Sequence, residues 1–178
     1  AKTGENEAGY IIQTRYNASG AKVRGLNTEL KIGIPDVFDI QAGYTFQRSR
    51  YNEAEVWSDT VEGEHRMFRT PDHYAYFTAS ANLTRKFKAS LFGNYTGQML
   101  VQHNAGYIEA DRSELTPSFW DLGLKLSYNF QLTNTIGLEV NGGVKNFLDS
   151  YQDDIDRGAF RDSVYIFGPM MPRTFFLG

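Results

Sequence analysis

The side chains best suited to chemistry lie in three long polar segments of the sequence, roughly residues 50–72, 103–117 and 149–172. Aromatic rings can stack on a ligand, and the arginine guanidinium presents a planar fork of N–H donors that suits large polar ligands. The same side chains also serve to pack loops against one another, and both interpretations stay open. The candidates for contact with a ligand are Trp57, Arg66, His103, Tyr107 and Arg112.

An acidic run begins at Asp149 and offers the hard oxygen ligands that calcium prefers. Asp153, Asp154 and Asp156 are therefore a weak calcium candidate. The run lacks the spacing and the central glycine of an EF-hand loop. We prefer to interpret it as a solvated loop that resists pairing with other chains, and we expect no metal and no cofactor.

Residue types typical of enzymes and of nucleic-acid binding are missing. The three histidines, His65, His73 and His103, come from separate segments, so we expect hydrogen-bonded or solvated side chains rather than shared haem or metal ligation. There is no nucleophile elbow, phosphate loop or zinc signature, and no cysteine. The formal net charge of −3 gives no basic excess for phosphate backbones. We predict neither an enzyme nor a nucleic-acid partner.

The elements that must position these segments show a hydrophobic period of two, which places successive side chains on opposite faces of a strand. No apolar run reaches the roughly 18 residues of a transmembrane helix. In the strand 37–49 Phe38, Ile40, Tyr44 and Phe46 share one face, which we expect to point outward to lipid. The alternating runs, about eight in all, are 21–34, 37–49, 75–84, 87–101, 120–130 and 136–145, with a weaker strand at 10–17 and a final strand from Arg173.

The connections between these strands are alternately short and long. Tight turns are predicted at 34–37, 85–86 and 132–134, whereas the three polar segments form long loops. Short turns on one side and long loops on the other are typical of outer-membrane barrels. The fold class predicted is all-β, an antiparallel transmembrane β-barrel segment. A soluble β-sandwich is the alternative, and eight strands could either close alone or belong to a larger barrel.

Four stretches carry a resemblance to a known family. The segment 144–149, followed by Tyr151, resembles the V-x-N-L-F-D-x-x-Y signature of TonB-dependent receptors, with Phe and Leu exchanged and the Tyr one residue early. The segment 168–178 resembles the G-R-x-F-x-x-G start of their final strand, particularly in Bacteroidetes. The segment 21–30 is similar to their K-x-R-G-x-E-x-E-L strand, with Asn27 in place of the first acid, and 69–73 looks like R-x-P-x-H.

This resemblance implies that residues 1–178 are the C-terminal part of a barrel of about 22 strands in the cell outer membrane, without its plug domain and TonB box. It also implies active uptake of a scarce nutrient, such as a ferric siderophore, haem, cobalamin or an oligosaccharide. The implied partners are outer-membrane lipid, the nutrient, and TonB through the missing N-terminal part. The alternatives are an autonomous eight-stranded barrel acting as anchor or adhesin, and a soluble carbohydrate-binding β-sandwich.

Overall fold

The computed structural model describes the backbone of Lys2–Glu5 and Ile11–Thr14 and the whole of residues 19–178. In this part of the chain all regular elements are strands, and no helix there is long and apolar enough to cross a membrane. The strands are β1 (Lys2–Glu5), β2 (Ile11–Thr14), β3 (Ala21–Ile34), β4 (Phe38–Glu55), β5 (Glu64–Arg66), β6 (His73–Asn82), β7 (Phe87–Thr96), β8 (Leu100–His103), β9 (Arg112–Leu115), β10 (Phe119–Gln131), β11 (Gly137–Lys145) and β12 (Thr174–Leu177).

Eight strands form one antiparallel sheet in the order β12-β11-β10-β7-β6-β4-β3, with β5 paired to β4. The pairs β1-β2 and β8-β9 are separate hairpins. The edge strands β3 and β12 are not paired with each other within the described ranges, so the sheet is open there. The sheet has eight strands, as many as predicted, but they are not the same eight. The strand β5, which was not predicted, belongs to the sheet, whereas β2, which lies within the predicted strand 10–17, does not. Residues 10 and 15–17 lie outside the described part of the chain.

The strand registers align the apolar side chains in continuous rows on one face of the sheet. One such row consists of Ile32, Ile40, Ala79, Leu91, Leu124, Val144 and Phe175. Ile40 is 38% exposed and Tyr44 is 42% exposed, and no second sheet of the described residues covers them. This face is therefore uncovered at Ile40 and Tyr44, whereas Phe38 and Phe46 are half-buried, and its contact with lipid stays a prediction. The β-sandwich alternative is wrong because a sandwich would bury this face.

The opposite face of the sheet carries polar groups and small residues. Tyr76 donates its hydroxyl hydrogen bond to Glu29 Oε1 at 3.1 Å, and Lys125 Nζ lies 3.7 Å from Glu139 Oε1. Gly43 lies directly under the Tyr76 ring, where a Cβ would approach the ring to 2.3 Å. The missing side chain thus lets the tyrosine lie flat against the wall and reach its carboxylate.

The three predicted tight turns are present, and they all lie at one end of the sheet, which we call the turn end. Val37 N donates to Ile34 O at 3.1 Å, and Asp36 adopts a positive φ of 60°, which short polar side chains tolerate. Thr84 Oγ1 accepts from the backbone N–H of Phe87, and Thr133 Oγ1 accepts from that of Ile136. The long connections lie at the opposite end, which we call the loop end.

The predicted strand 87–101 is wrong at its C-terminal end. Strand β7 ends at Thr96, and Gly97 N then donates to His73 O at 2.7 Å. The chain turns away there and begins the separate hairpin β8-β9, where Val101 is fully buried instead of facing outward. Strand β4 is correspondingly longer than predicted and continues to Glu55.

Candidate functional site

The long connections at the loop end form a compact cap, which we define as the hairpin 100–115 together with the connection 149–172. Val101, Tyr165 and Phe167 of the cap form one buried core with Phe119 of β10, and Met99, just before β8, packs against them. The Phe167 ring lies 5.3 Å from Tyr165, edge to face, and 5.9 Å from Phe119. Because Phe119 stands on the polar face of β10, the cap lies over that face of the sheet.

Arg69 fastens the connection 149–172 to the wall. Its own backbone has a positive φ of 54°, and its N–H donates to Leu100 O at 2.7 Å. Its guanidinium donates to Ile166 O at 2.9 Å and also to Val164 O. The guanidinium fork therefore ties the connection to the segment that precedes β6, and the backbone N–H of the same residue ties β8 to it.

Asn146 forms a second fastening point and is 1% exposed. Its side-chain amide donates to Ser150 O at 2.9 Å and to Met171 O at 2.8 Å, and its Oδ1 accepts from Ser150 N. Nearby, Arg173 N donates to Asp149 Oδ1 and Arg173 Nε donates to Phe147 O. The two C-terminal motifs found in the sequence are thus one hydrogen-bonded knot that joins the end of β11 to the start of β12.

His103 joins the two parts of the cap and is 3% exposed. Its Nδ1 lies 2.7 Å from Glu114 Oε1 on β9, and its Nε2 lies 3.0 Å from Asp156 Oδ1 on the connection. The imidazole is stacked on the Tyr165 ring at 3.6 Å between centroids and 7° between planes. Asp156 is also buried and accepts from the backbone N–H of Asp162 at 2.9 Å.

A cavity of about 380 Å³ opens beside this cluster, within the range of sites for small molecules. It brings together three of the five predicted ligand contacts, His103, Tyr107 and Arg112. The three acidic residues of the weak calcium candidate line the same cavity. The complete lining is His103, Tyr107, Ile108, Arg112, Asp153, Asp154, Ile155, Asp156 and Arg157. Tyr107 is 56% exposed and Arg112 is exposed, so both are accessible to a ligand, whereas His103 is largely covered.

Hydrogen bonding and burial shift the pKa values of two groups near the cavity. Burial raises the pKa of the Tyr165 hydroxyl well above its usual value, and the bond to Asp154 Oδ2 at 2.7 Å and the neighbouring carboxylates add to this shift. Burial acts to raise the pKa of Asp162, but hydrogen bonds from Asn104 and from Val164 N outweigh it, so the pKa is lowered from 3.8. Tyr165 therefore stays neutral and Asp162 stays charged at neutral pH.

The other two predicted contacts, Trp57 and Arg66, do not line this cavity. Trp57 Nε1 donates to Ser113 Oγ at 3.1 Å, and its ring packs edge to face on Phe68. Arg66 donates to Gln98 O at 2.9 Å and lies 3.4 Å from Asp72 Oδ2. Both side chains fasten loops to each other, which was the alternative interpretation of these residues.

The three histidines lie apart, each with a different partner. His73 Nδ1 lies 2.7 Å from the Tyr44 hydroxyl, and His65 Nδ1 lies 3.5 Å from Tyr51 O. Among the described residues, no group of three or more His, Asp or Glu side chains is arranged to hold a metal ion. Asp154 instead accepts a hydrogen bond from the Tyr165 hydroxyl, and Asp156 lies within hydrogen-bond distance of His103 Nε2. The geometry adds no support to the calcium candidate.

Sequence reasoning missed Glu114, Tyr165 and Gln152, which organise the cap from behind the cavity. Gln152 is buried, accepts from Phe167 N at 2.8 Å and donates to Tyr165 O. For Glu114 a signal existed: in the hairpin β8-β9 its register position is diagonal to His103, within reach across the two strands. For Tyr165 and Gln152 the sequence shows no regular pattern.

A second cavity, of about 320 Å³, lies at the turn end between the turn 34–37 and Lys88. It is formed by one tight turn and the ends of the adjoining strands, and no exposed aromatic ring lines it, whereas Tyr107 is exposed in the cap cavity. We therefore place the candidate site in the cap.

Comparison with known proteins gives the context of this sheet. The family model described as "TonB dependent receptor-like, beta-barrel" matches residues 2–147. No curated protein matches the chain. The ferric-catecholate import receptor Fiu from E. coli K12, in its closed form, superposes with a TM-score of 0.63 at 20% identity, covering 99% of this chain and 22% of that one.

The ferripyoverdine receptor of the outer membrane of Pseudomonas aeruginosa, bound to ferripyoverdine, superposes with a TM-score of 0.56 at 18% identity, covering 73% of this chain and 16% of that one. The chain thus spans about a fifth of the length of these receptors, and at such identities the likeness is one of fold. Members of the matched family are outer-membrane receptors and transporters, not enzymes. The chain belongs to the TonB-dependent receptors, as a segment of their outer-membrane β-barrel.

Proposed function

We propose that this chain forms part of the barrel wall and of the outer vestibule of a receptor that takes up a scarce nutrient across the outer membrane. The observation that carries the proposal is the cap cavity of about 380 Å³, which lies over the polar face of a sheet whose other face is apolar. The rows of apolar side chains suit contact with lipid on the outside of a barrel. The cap over the polar face suits contact with a ligand that enters the barrel lumen.

The open sheet supports a place in a larger barrel. All 14 residues of β3 are exposed, and its free edge leaves backbone donors and acceptors that a neighbouring strand must satisfy in lipid. We propose a complete barrel of about 22 strands, which also leaves room to hydrate Glu29, Lys125 and Glu139. The plug, the TonB box and TonB itself act through parts of the receptor outside residues 1–178, and the Bacteroidetes origin stays a prediction.

The cavity supports recognition by ring stacking and charged hydrogen bonds. Tyr107 offers a ring face, Arg112 and Arg157 offer planar donors, and Asp153 offers acceptors. A ferric siderophore, haem, cobalamin or an oligosaccharide could each use such groups, and we propose the nutrient to be one of these four classes.

The test uses the full-length receptor in outer-membrane vesicles and in cells that lack it. We expect binding of one member of a panel of the four ligand classes, and uptake that stops when TonB is deleted. A receptor that binds none of them, but mediates attachment to surfaces, would instead support the autonomous anchor or adhesin.

The cavity is tested by Tyr107→Ala with Tyr151→Ala as its matched control. Tyr151 is similarly exposed, at 60% against 56%, and does not line the cavity. We expect Tyr107→Ala to weaken binding of the identified nutrient roughly 2- to 12-fold, the worth of one aromatic contact, and Tyr151→Ala to leave it unchanged. Equal effects of the two variants would remove the cavity from the proposal.

A further inference from the structure

We propose that a basic cluster on the apolar side of strands β3, β4 and β5 binds an anionic lipid of the outer leaflet whose headgroup carries more than one phosphate. We define the basic cluster as Lys22, Arg24, Arg48, Arg50 and Arg66. The proposal goes beyond nutrient uptake, because it rests on contact of the apolar face with lipid and not on the cap cavity.

The strand register places the cations of the cluster directly opposite one another. Arg24 lies opposite Arg48, and Lys22 lies opposite Arg50 in the next row of the same strand pair. Arg50 is in turn opposite Arg66 on β5. Like charges directly opposite on neighbouring strands destabilise a sheet. An anion held between these side chains would offset the repulsion.

The described part of the chain supplies little counter-charge to the cluster. Asp72 Oδ2 lies 3.4 Å from Arg66 Nη2, and Asp72 Oδ1 lies 4.0 Å from Arg50 Nη1. The other three cations of the cluster are exposed and form no ion pair within residues 19–178. Five cations therefore share one carboxylate, and this excess of positive charge suits a headgroup with more than one phosphate.

The cluster lies on the outside of the wall and not towards the lumen. Arg24 and Arg48 are each eight residues from the outward pair Ile32 and Ile40, and an even spacing along a strand keeps side chains on one face. Arg48 Cζ lies 6.0 Å from the centroid of the Phe46 ring, two residues before it on the same face. The cations therefore continue the outward face upwards from the apolar rows.

The height of the cluster matches the headgroup layer. Eight residues extend about 27 Å along a strand, or about 21 Å along the membrane normal at a tilt of about 40°. Because Ile40 lies near the middle of a band about 25 Å tall, Arg48 lies roughly 8 Å beyond the edge of this band. Tyr44 and Phe46 lie between them, at the level where aromatic rings are enriched. Short turns face the periplasm, so the loop end and the cluster face the outer leaflet.

The side chains of the cluster suit phosphate oxygens. A guanidinium presents two parallel N–H donors to a phosphate, and these charge-assisted hydrogen bonds are stronger than neutral ones. A phosphate between Arg24 and Arg48 accepts from both, which replaces a repulsion by two attractions. Long cationic side chains near the end of an apolar band also extend towards the interface without moving the strand.

The test measures lipid binding to the full-length receptor in detergent micelles by native mass spectrometry. The probes are diphosphoryl lipid A and monophosphoryl lipid A, which differ by one phosphate. We expect the diphosphoryl form to bind more tightly. The double variant Arg24→Gln with Arg48→Gln should weaken its binding roughly 30-fold, about 5-fold for each cation removed. The double variant Arg24→Lys with Arg48→Lys keeps both charges and should retain most of the affinity.

The matched control is Arg85→Gln with Lys86→Gln, which removes the same number of charges from exposed positions at the turn end. Both ends of the receptor are accessible in micelles, so the control should leave lipid binding unchanged. Equal affinity for the two lipids, or an equal loss in the control, would overturn the proposal. Binding abolished by inorganic phosphate, but not by chloride at the same ionic strength, would assign the cluster to a free anion and also overturn it.

Stability in vesicles provides a second measurement that a merely structural role would not reproduce. In vesicles of phosphatidylcholine alone, Arg24→Gln with Arg48→Gln removes the repulsion and should raise the midpoint of unfolding. When diphosphoryl lipid A is added, the midpoint of the unmodified receptor should rise more than that of the variant. A midpoint that responds equally in both proteins would contradict a lipid site at the cluster.

Discussion

Replacing Ile40 with arginine should destabilise the barrel strongly, because this side chain lies close to the middle of the apolar band. On β10 the band runs from Trp120 to Phe130, about ten residues or roughly 33 Å along the strand. With the usual tilt of about 40° this spans about 25 Å, the height of the lipid-facing band in such barrels. Ile40 lies in the row of Leu124, near the midpoint between those two rings.

The expected cost of arginine at the bilayer midplane is about 2–4 kcal/mol, which corresponds to roughly a 30- to 1,000-fold change in the unfolding equilibrium. The matched control is Thr78→Arg, which lies at nearly the same depth on the exposed polar face and pairs with Gln41. A charge there meets water in a wide lumen, so we expect a change below about 1 kcal/mol.

The assay is equilibrium unfolding of the full-length receptor in lipid vesicles by guanidinium chloride, with folding followed by tryptophan fluorescence. Ile40→Arg should lower the midpoint clearly, and Thr78→Arg should leave it almost unchanged. Equal loss for both variants, or a greater loss for Thr78→Arg, would refute the assignment of the two faces.

Two further predictions concern the cap. Asn146→Ala removes three hydrogen bonds of a buried amide, worth about 1 kcal/mol each. Exchange of the Ser150 backbone amide hydrogen in the full-length receptor should therefore accelerate roughly 100-fold. Asn104→Ala, which removes an exposed side-chain amide, should leave this exchange rate unchanged. The lowered pKa of Asp162 stabilises the cap above pH 3.8, and this stabilisation is lost as pH falls through the pKa of Asp162 in the folded protein. Proteolysis of the connection 149–172 should therefore increase in acid. An Asp162→Asn variant with the same increase in acid would show that Asp162 is not its cause.

The wall of this protein was largely predictable from its sequence because two different solvents act on alternate residues. Leu30 and Ile32 must face lipid while Lys31 between them must not, and this alternation fixes both strand and register. The exception, Val101, shows the limit: it continues the apolar period of β7, but the turn after Gly97 carries it into the cap.

The site was predictable only in part, because its geometry depends on contacts between distant segments. His103, Tyr107 and Arg112 were chosen by residue type and do meet at one cavity. That they meet Asp153 depends on the path of the connection 149–172, which Arg69 and Asn146 determine through backbone carbonyls. Such contacts leave no period in the sequence. Their role as ligand contacts stays a prediction.

The buried core of Val101, Phe119, Tyr165 and Phe167 lies at the loop end, beyond the row that contains Tyr44 and Trp120. Water drives the burial of this core, whereas lipid is as apolar as the outward side chains of the wall and provides no such force. Phe167→Ala should therefore cost several kcal/mol, as in a soluble protein, while exchanges such as Leu124→Val or Ile40→Leu should be almost silent. Substitutions of apolar residues should therefore be tolerated on the lipid-facing side of the sheet and be costly in the buried core of the cap. We expect the apolar residues of the sheet to change faster in evolution than those of this core.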